Sequence, residues 1–152
     1  MPDSCFYNHI ERFNAMYQLD SNAQPTLLGP ARLRQFHDII SEEVDEGLDL
    51  AAKYESLVGE AGELDEEKRI AVLTELSDWL GDLVVYCASE ARRWGLPLNR
   101  VLEVIMQSNF SKLGEDGQPI YDHRGKVMKG PAYWKPEPKI EELLRHESSS
   151  SR

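Results

Sequence analysis

Ser41-Glu42-Glu43-Val44-Asp45-Glu46 and Glu75-Leu76-Ser77-Asp78-Trp79-Leu80-Gly81-Asp82 are two acidic clusters, each within a stretch of helical apolar period. At ~100° per residue, Glu43 and Glu46 fall ~60° apart on a helix, Glu42 and Glu46 ~40°, Asp78 and Asp82 ~40°, and Glu75 and Asp82 only ~20°. Residues so spaced meet on a helix surface, where like charges repel. Two arrangements offset the repulsion. One is solvent and salt on an exposed face. The other is a divalent cation, because hard cations such as Mg²⁺ take oxygen ligands and sit between carboxylates and phosphates. The residues around the second cluster bear on the choice. From Ile70 to Ala88 the pattern is apolar on most sides of a helix, which is the mark of burial in a bundle. Acids on a buried helix need partners, and no Lys or Arg occurs between Ala71 and Ser89.

Outward from the clusters, Pro30 or Ala31 opens a long helix expected to run through about Glu55, on Leu33, Phe36, Ile39, Ile40, Val44, Leu48 and Leu50. Gly47 in its middle costs roughly 0.5–1 kcal/mol relative to Ala; it is either tolerated or admits close approach of a neighbouring helix. Val58 to Leu64 reads as a break. Asp65 is a good N-cap, with Glu66 and Glu67 in the first turn. That helix is expected to reach Trp94, with Gly95 as its left-handed stop and Pro97 beyond. Before the clusters, Phe6 to Leu19 reads as a short helix and Asp20 to Pro30 as a connector. After them, Leu98 to Leu113 reads as a helix ended by Gly114. Gln118–Asp122 and Lys126–Lys129 form a candidate hairpin around His123-Arg124-Gly125, and Ile140 to Glu147 a last short helix.

These elements predict one all-α domain over residues 1–147, with a C-terminal arm at about 114–147 and a disordered tail at 148–152. Four main helices on short loops predict a four-helix-bundle-like fold with a small irregular or hairpin C-terminal segment. The two acidic helices, being consecutive, should be antiparallel neighbours whose carboxylates converge on one cleft.

The net charge is −10 and the pI about 4.8, which argues against a nucleic-acid polymer as partner. The charge is uneven. Eleven Asp or Glu and one Lys lie between Glu42 and Glu67, whereas six Lys or Arg and four acids lie between Lys112 and Lys139. Cations on one side and metal-bound acids on the other suit a polyphosphate. Cys5 and Cys87 give neither a disulfide framework nor a metal spacing, and Cys87 is expected in the core. No signal peptide or membrane span is visible, so a cytoplasmic protein is expected. Trp79 and Trp94 read as packing residues. Tyr133-Trp134 reads either as base contact or as packing onto a partner subunit. His37 reads as a surface or interface residue, and Lys135 and Lys139 as surface charges.

Glu43-x-x-Glu46, then 28 residues, then Glu75-x-x-Asp78 resembles the ExxE…ExxD signature of the all-α nucleoside triphosphate pyrophosphohydrolases. Ser108-Asn109-Phe110-Ser111-Lys112 is similar to the Asn-x-x-Lys that follows the last core helix of that family. Asp122 to Pro131 resembles the tail of MazG-like and phosphoribosyl-ATP-pyrophosphohydrolase-like members. The likeness covers roughly Leu33 to Pro138. It implies a MazG-type fold, a homodimer or homotetramer, and Mg²⁺, with Mn²⁺ as a substitute. It also implies cleavage of a (deoxy)nucleoside triphosphate to the monophosphate and pyrophosphate as nucleotide-pool house-cleaning. Phosphoribosyl-ATP as substrate, or a non-catalytic nucleotide- or metal-binding regulator, are the alternatives. Carried over, Glu43, Glu46, Glu75 and Asp78 would be metal ligands, Glu42 either an extra ligand or the base that activates water, and Glu42 and Glu43 the catalytic carboxylates. Asn109, Lys112, Lys126 and Lys129 would contact nucleotide or phosphate. Several members place Asn-x-x-Lys one helical turn closer to the ExxD aspartate; by that spacing Asp82, on the same face, is a further ligand candidate.

Overall fold

A computed structural model of the chain describes residues 4–149. Among these there are five α-helices and no strand: α1 (Ser4–Met16), α2 (Pro30–Ala61), α3 (Glu66–Arg93), α4 (Leu98–Phe110) and α5 (Glu137–Ser149). The protein is all-α. No helix among the described residues is long and apolar enough to cross a membrane. The described residues fall into two compact units, one within Met1–Ser21 and Leu27–Trp94, the other within Asn22–Thr26 and Gly95–Arg152.

In the first unit α3 packs against both α2 and α1. Pro30 starts α2, where its missing N–H costs nothing. The helix runs past the expected end at Glu55 and closes at Gly62, whose N–H donates to Val58 O. Asp65 caps α3 by accepting from Lys68 N at 2.8 Å, with Glu66 and Glu67 in the first turn and Arg92 and Arg93 in the last, both favourable to the helix dipole.

Burial on α3 departs from the expectation. Its buried residues are Val72, Ala88, Ser89, Glu90 and Ala91, while Leu80, Val84, Tyr86 and Cys87 are exposed. Cys87 is thus a surface residue of this chain rather than a core one. The physical reason is that within the unit only α1 and α2 pack on α3, and apart from Val72 its buried residues lie near its C-terminal end. There the contacts are polar. Asn14, fully buried, donates to Ser89 O at 3.1 Å and accepts from Ser89 Oγ at 2.6 Å. Glu90 accepts from Arg32 Nε at 3.0 Å, from Arg32 Nη2, and from Trp94 Nε1 at 2.6 Å. A buried ion pair persists when its remaining lone pairs are also satisfied, and this one meets that condition.

In the second unit α4 packs on α5, and Arg100 pairs with Glu147. Gly95, at φ 67°, lies so close to Gln24 that a Cβ there would stand 1.9 Å from its carbonyl oxygen. The arm is strapped to the end of α4. Ser108 Oγ donates to Trp134 O at 2.8 Å, Trp134 N donates to Ser111 Oγ at 3.2 Å, and Gly130 N donates to Lys112 O at 2.9 Å. The expected hairpin is present in a short form, with one antiparallel bridge, Tyr121 with Val127, flanked by Asp122 N donating to Lys126 O at 2.9 Å and Met128 N to Ile120 O at 2.7 Å; at its turn Asp122 Oδ1 takes the N–H groups of Arg124 and Lys126. These two backbone bonds hold the Asp122 carboxyl below the usual aspartate range. α5 continues to Ser149, where Ser148 and Ser149 hydroxyls donate to Leu144 O and Arg145 O. Residues 150–152 of the expected tail lie outside the described residues.

Candidate active site

α2 and α3 bring most of the acidic set to one cleft. Glu46, Asp49, Leu50 and Lys53 of α2 face Glu75, Asp78, Trp79 and Asp82 of α3 across a space of about 400 Å³. The helical spacing explains the gathering. Glu46, Asp49, Leu50 and Lys53 stand at i, i+3, i+4 and i+7, as do Glu75, Asp78, Trp79 and Asp82. Asp49 and Lys53 are additions to the set read from sequence. Their spacing from Glu46 was the available signal.

Trp79 fixes the separation of the two helices. Its Nε1 donates to Glu43 O at 2.8 Å, and its ring crosses α2 at Gly47. A Cβ on residue 47 would stand 2.4 Å from Trp79 Cζ2. Close approach is therefore the reason for this glycine, and what approaches is an indole. Trp79 and Leu50 also border a second, more apolar cavity of about 460 Å³, lined by Tyr54, Leu64, Arg69, Val72, Leu73 and Leu76.

Glu43 is the electrostatic centre of the cluster. It is 8% exposed, and its carboxylate makes no hydrogen bond or ion pair with any described residue. Burial, and then the charges of Glu46, Asp82 and Asp78, hold its carboxyl above the usual glutamate value. The Glu43 oxygens keep some access to solvent and the residue stands beside the cleft rather than in its lining, so the cost of ionising it comes from partial burial and three neighbouring like charges. Glu75 differs, because Lys53 Nζ pairs with its Oε1. Glu42 is exposed and does not line the cleft.

Every acidic donor here is a carboxylate oxygen, the ligand type of hard divalent cations. In donor chemistry the set fits such an ion. No group of three or more His, Cys, Asp or Glu among the described residues stands assembled closely enough to hold one, so the side chains would have to turn inward on binding.

The other candidates lie in the second unit. Asn109 is exposed near the end of α4 and Lys112 is half-buried just beyond it, its N–H donating to Asn109 O at 3.2 Å. Lys126 and Lys129 are exposed on the strap, with Lys129 Nζ 4.7 Å from the centre of the Tyr133 ring. The Trp134 ring carries Lys139 at 3.7 Å, so both aromatics are engaged by lysines of their own unit, and Lys139 is more than a free surface charge.

No protein-family model and no curated protein matches the chain. Among solved structures, the chain is similar to a protein of Exiguobacterium sp. 255-15 described as a "putative NTP pyrophosphohydrolase". The two share 25% identity at a TM-score of 0.51, over 95% of this chain and 98% of that one. In fold and span, the chain fits the all-α NTP pyrophosphohydrolase superfamily.

Proposed function

We propose that the protein hydrolyses a (deoxy)nucleoside triphosphate to the monophosphate and pyrophosphate in a Mg²⁺-dependent reaction, as nucleotide-pool house-cleaning. The observation that carries this reading is the gathering of Glu46, Glu75, Asp78 and Asp82 on one cleft, with Glu43 beside it under the charges of Glu46, Asp82 and Asp78. A divalent cation supplies the missing counter-charge, and once bound it neutralises the phosphates and fixes them for attack. Mn²⁺ would substitute for Mg²⁺ on the same oxygen donors. Glu43, Glu46, Glu75, Asp78 and Asp82 would hold it. A carboxylate beside the ion, Glu42 or Glu43, would take the proton of an attacking water. Asn109, Lys112, Lys126 and Lys129 would hold the nucleotide and balance charge on the departing pyrophosphate.

The protein works as a homodimer or homotetramer in this reading. Leu33, Val44 and Leu48 of α2 lie within ~60° of one another, and Leu73, Leu80 and Val84 of α3 within ~40°. All six are exposed. Uncovered apolar stripes on two neighbouring helices suit a second copy presenting the same stripes.

The test is pyrophosphate release from nucleoside triphosphates with Mg²⁺. Glu46→Gln should lower turnover at least about a hundredfold, the scale of losses at metal-site carboxylates, with an unchanged helical melt. Near-wild-type turnover in that variant would remove the proposal.

A further inference from the structure

The acidic cleft carries a cation of its own. Lys53 is the one Lys or Arg among its described lining residues, and its Nζ is paired with Glu75 Oε1. Both side chains are about half exposed, at 52% and 44%. A pair so exposed is weak and exchanges readily. An ammonium on a four-carbon stem is also a point charge with three rotatable donors, which can leave one oxygen for another without a change of plane. Lys53 thus occupies an oxygen that a divalent ion would need, and it does so on a tether long enough to move aside.

We propose, resting on the pyrophosphohydrolase reading, that Lys53 is a resident counter-ion and positioning residue of this cleft. It holds Glu75 while no divalent ion is bound. It releases Glu75 to an incoming ion, and the freed ammonium then pairs with the phosphate chain of the substrate. The cleft would otherwise gather five carboxylates, Glu46, Asp49, Glu75, Asp78 and Asp82, with no positive charge among its lining. A mobile lysine lowers that repulsion in the metal-free protein and adds a phosphate contact only after loading. The two roles have opposite signs. Removing Lys53 should tighten metal binding, because a competitor is gone, and weaken polyphosphate binding, because a contact is gone.

Calorimetric titration of the full-length, metal-free chain with Mn²⁺ alone, and then with inorganic pyrophosphate at saturating Mn²⁺, reads both. Lys53→Met should bind Mn²⁺ about two- to fivefold more tightly and pyrophosphate more weakly by a similar factor, the range of an exposed pair. Lys53→Arg, which keeps the charge, should restore pyrophosphate affinity. Lys68→Met, which removes a lysine paired with Asp65 away from the cleft, should change neither. Mn²⁺ affinity unchanged or weakened in Lys53→Met, or pyrophosphate affinity unaffected, overturns the role of Lys53 and leaves the pyrophosphohydrolase reading standing. Wild-type protein that takes up no Mn²⁺ overturns both.

Discussion

Glu43 and Glu90 are both buried acids of the first unit, and they differ in what surrounds them. Glu90 is satisfied by Arg32 and the Trp94 indole, so it needs nothing from outside the chain. The charges that act on Glu43 are those of other acids, Glu46, Asp82 and Asp78. That difference separates an acid that ties helices together from one that, in the proposed reading, takes a cation. Both lie in helical stretches of apolar period, but the partner of Glu90 is 58 residues away in sequence and could not be read from spacing. Gly47 carries a prediction at the same scale. Gly47→Ala gains up to about 1 kcal/mol of helix propensity but places a methyl group 2.4 Å from an indole held by its own hydrogen bond. Overpacking of this kind costs about 1–3 kcal/mol, so a net loss of about 1–2 kcal/mol is expected in urea unfolding. A midpoint unchanged or raised would show that Trp79 moves aside freely.

At the scale of elements, the caps and stops were legible because their chemistry is local. Asp65, Pro30 and Gly95 each announce a helix boundary without reference to the rest of the chain. The end of α2 was not legible. Val58 to Leu64, with Gly59 and Gly62, read as a break, yet the helix continues to Ala61 because a single glycine costs less than abandoning a long helix already packed on α3. The burial of α3 was misread for a deeper reason. Apolar period says that a face wants cover, but not whether its own chain supplies it. The exposed stripes of α2 and α3 predict self-association. Sedimentation at micromolar concentration should give a mass two or four times 17.4 kDa, and Val84→Asp should shift it toward the single chain. Wild-type protein sedimenting as the single chain would contradict the assembly.

At the scale of the whole molecule, the all-α class and the family likeness were readable from the ordered motifs. The convergence of Glu46, Glu75, Asp78 and Asp82 on one cleft was readable as well, because i, i+3 and i+7 spacing on consecutive helices leaves little other choice. Lys53 and Asp49 continue the same stripe beyond Glu46, outside the acidic motif itself. The basic residues Lys112, Lys126 and Lys129 belong to the second unit, held there by the strap on α4. The central claim is that the carboxylates of α2 and α3 form a divalent-cation site, and anomalous diffraction from crystals soaked in Mn²⁺ tests it most directly. The account predicts a peak bounded by Glu43, Glu46, Glu75, Asp78 and Asp82; crystals with no peak in that cleft at millimolar Mn²⁺, or with manganese only elsewhere on the chain, would contradict it.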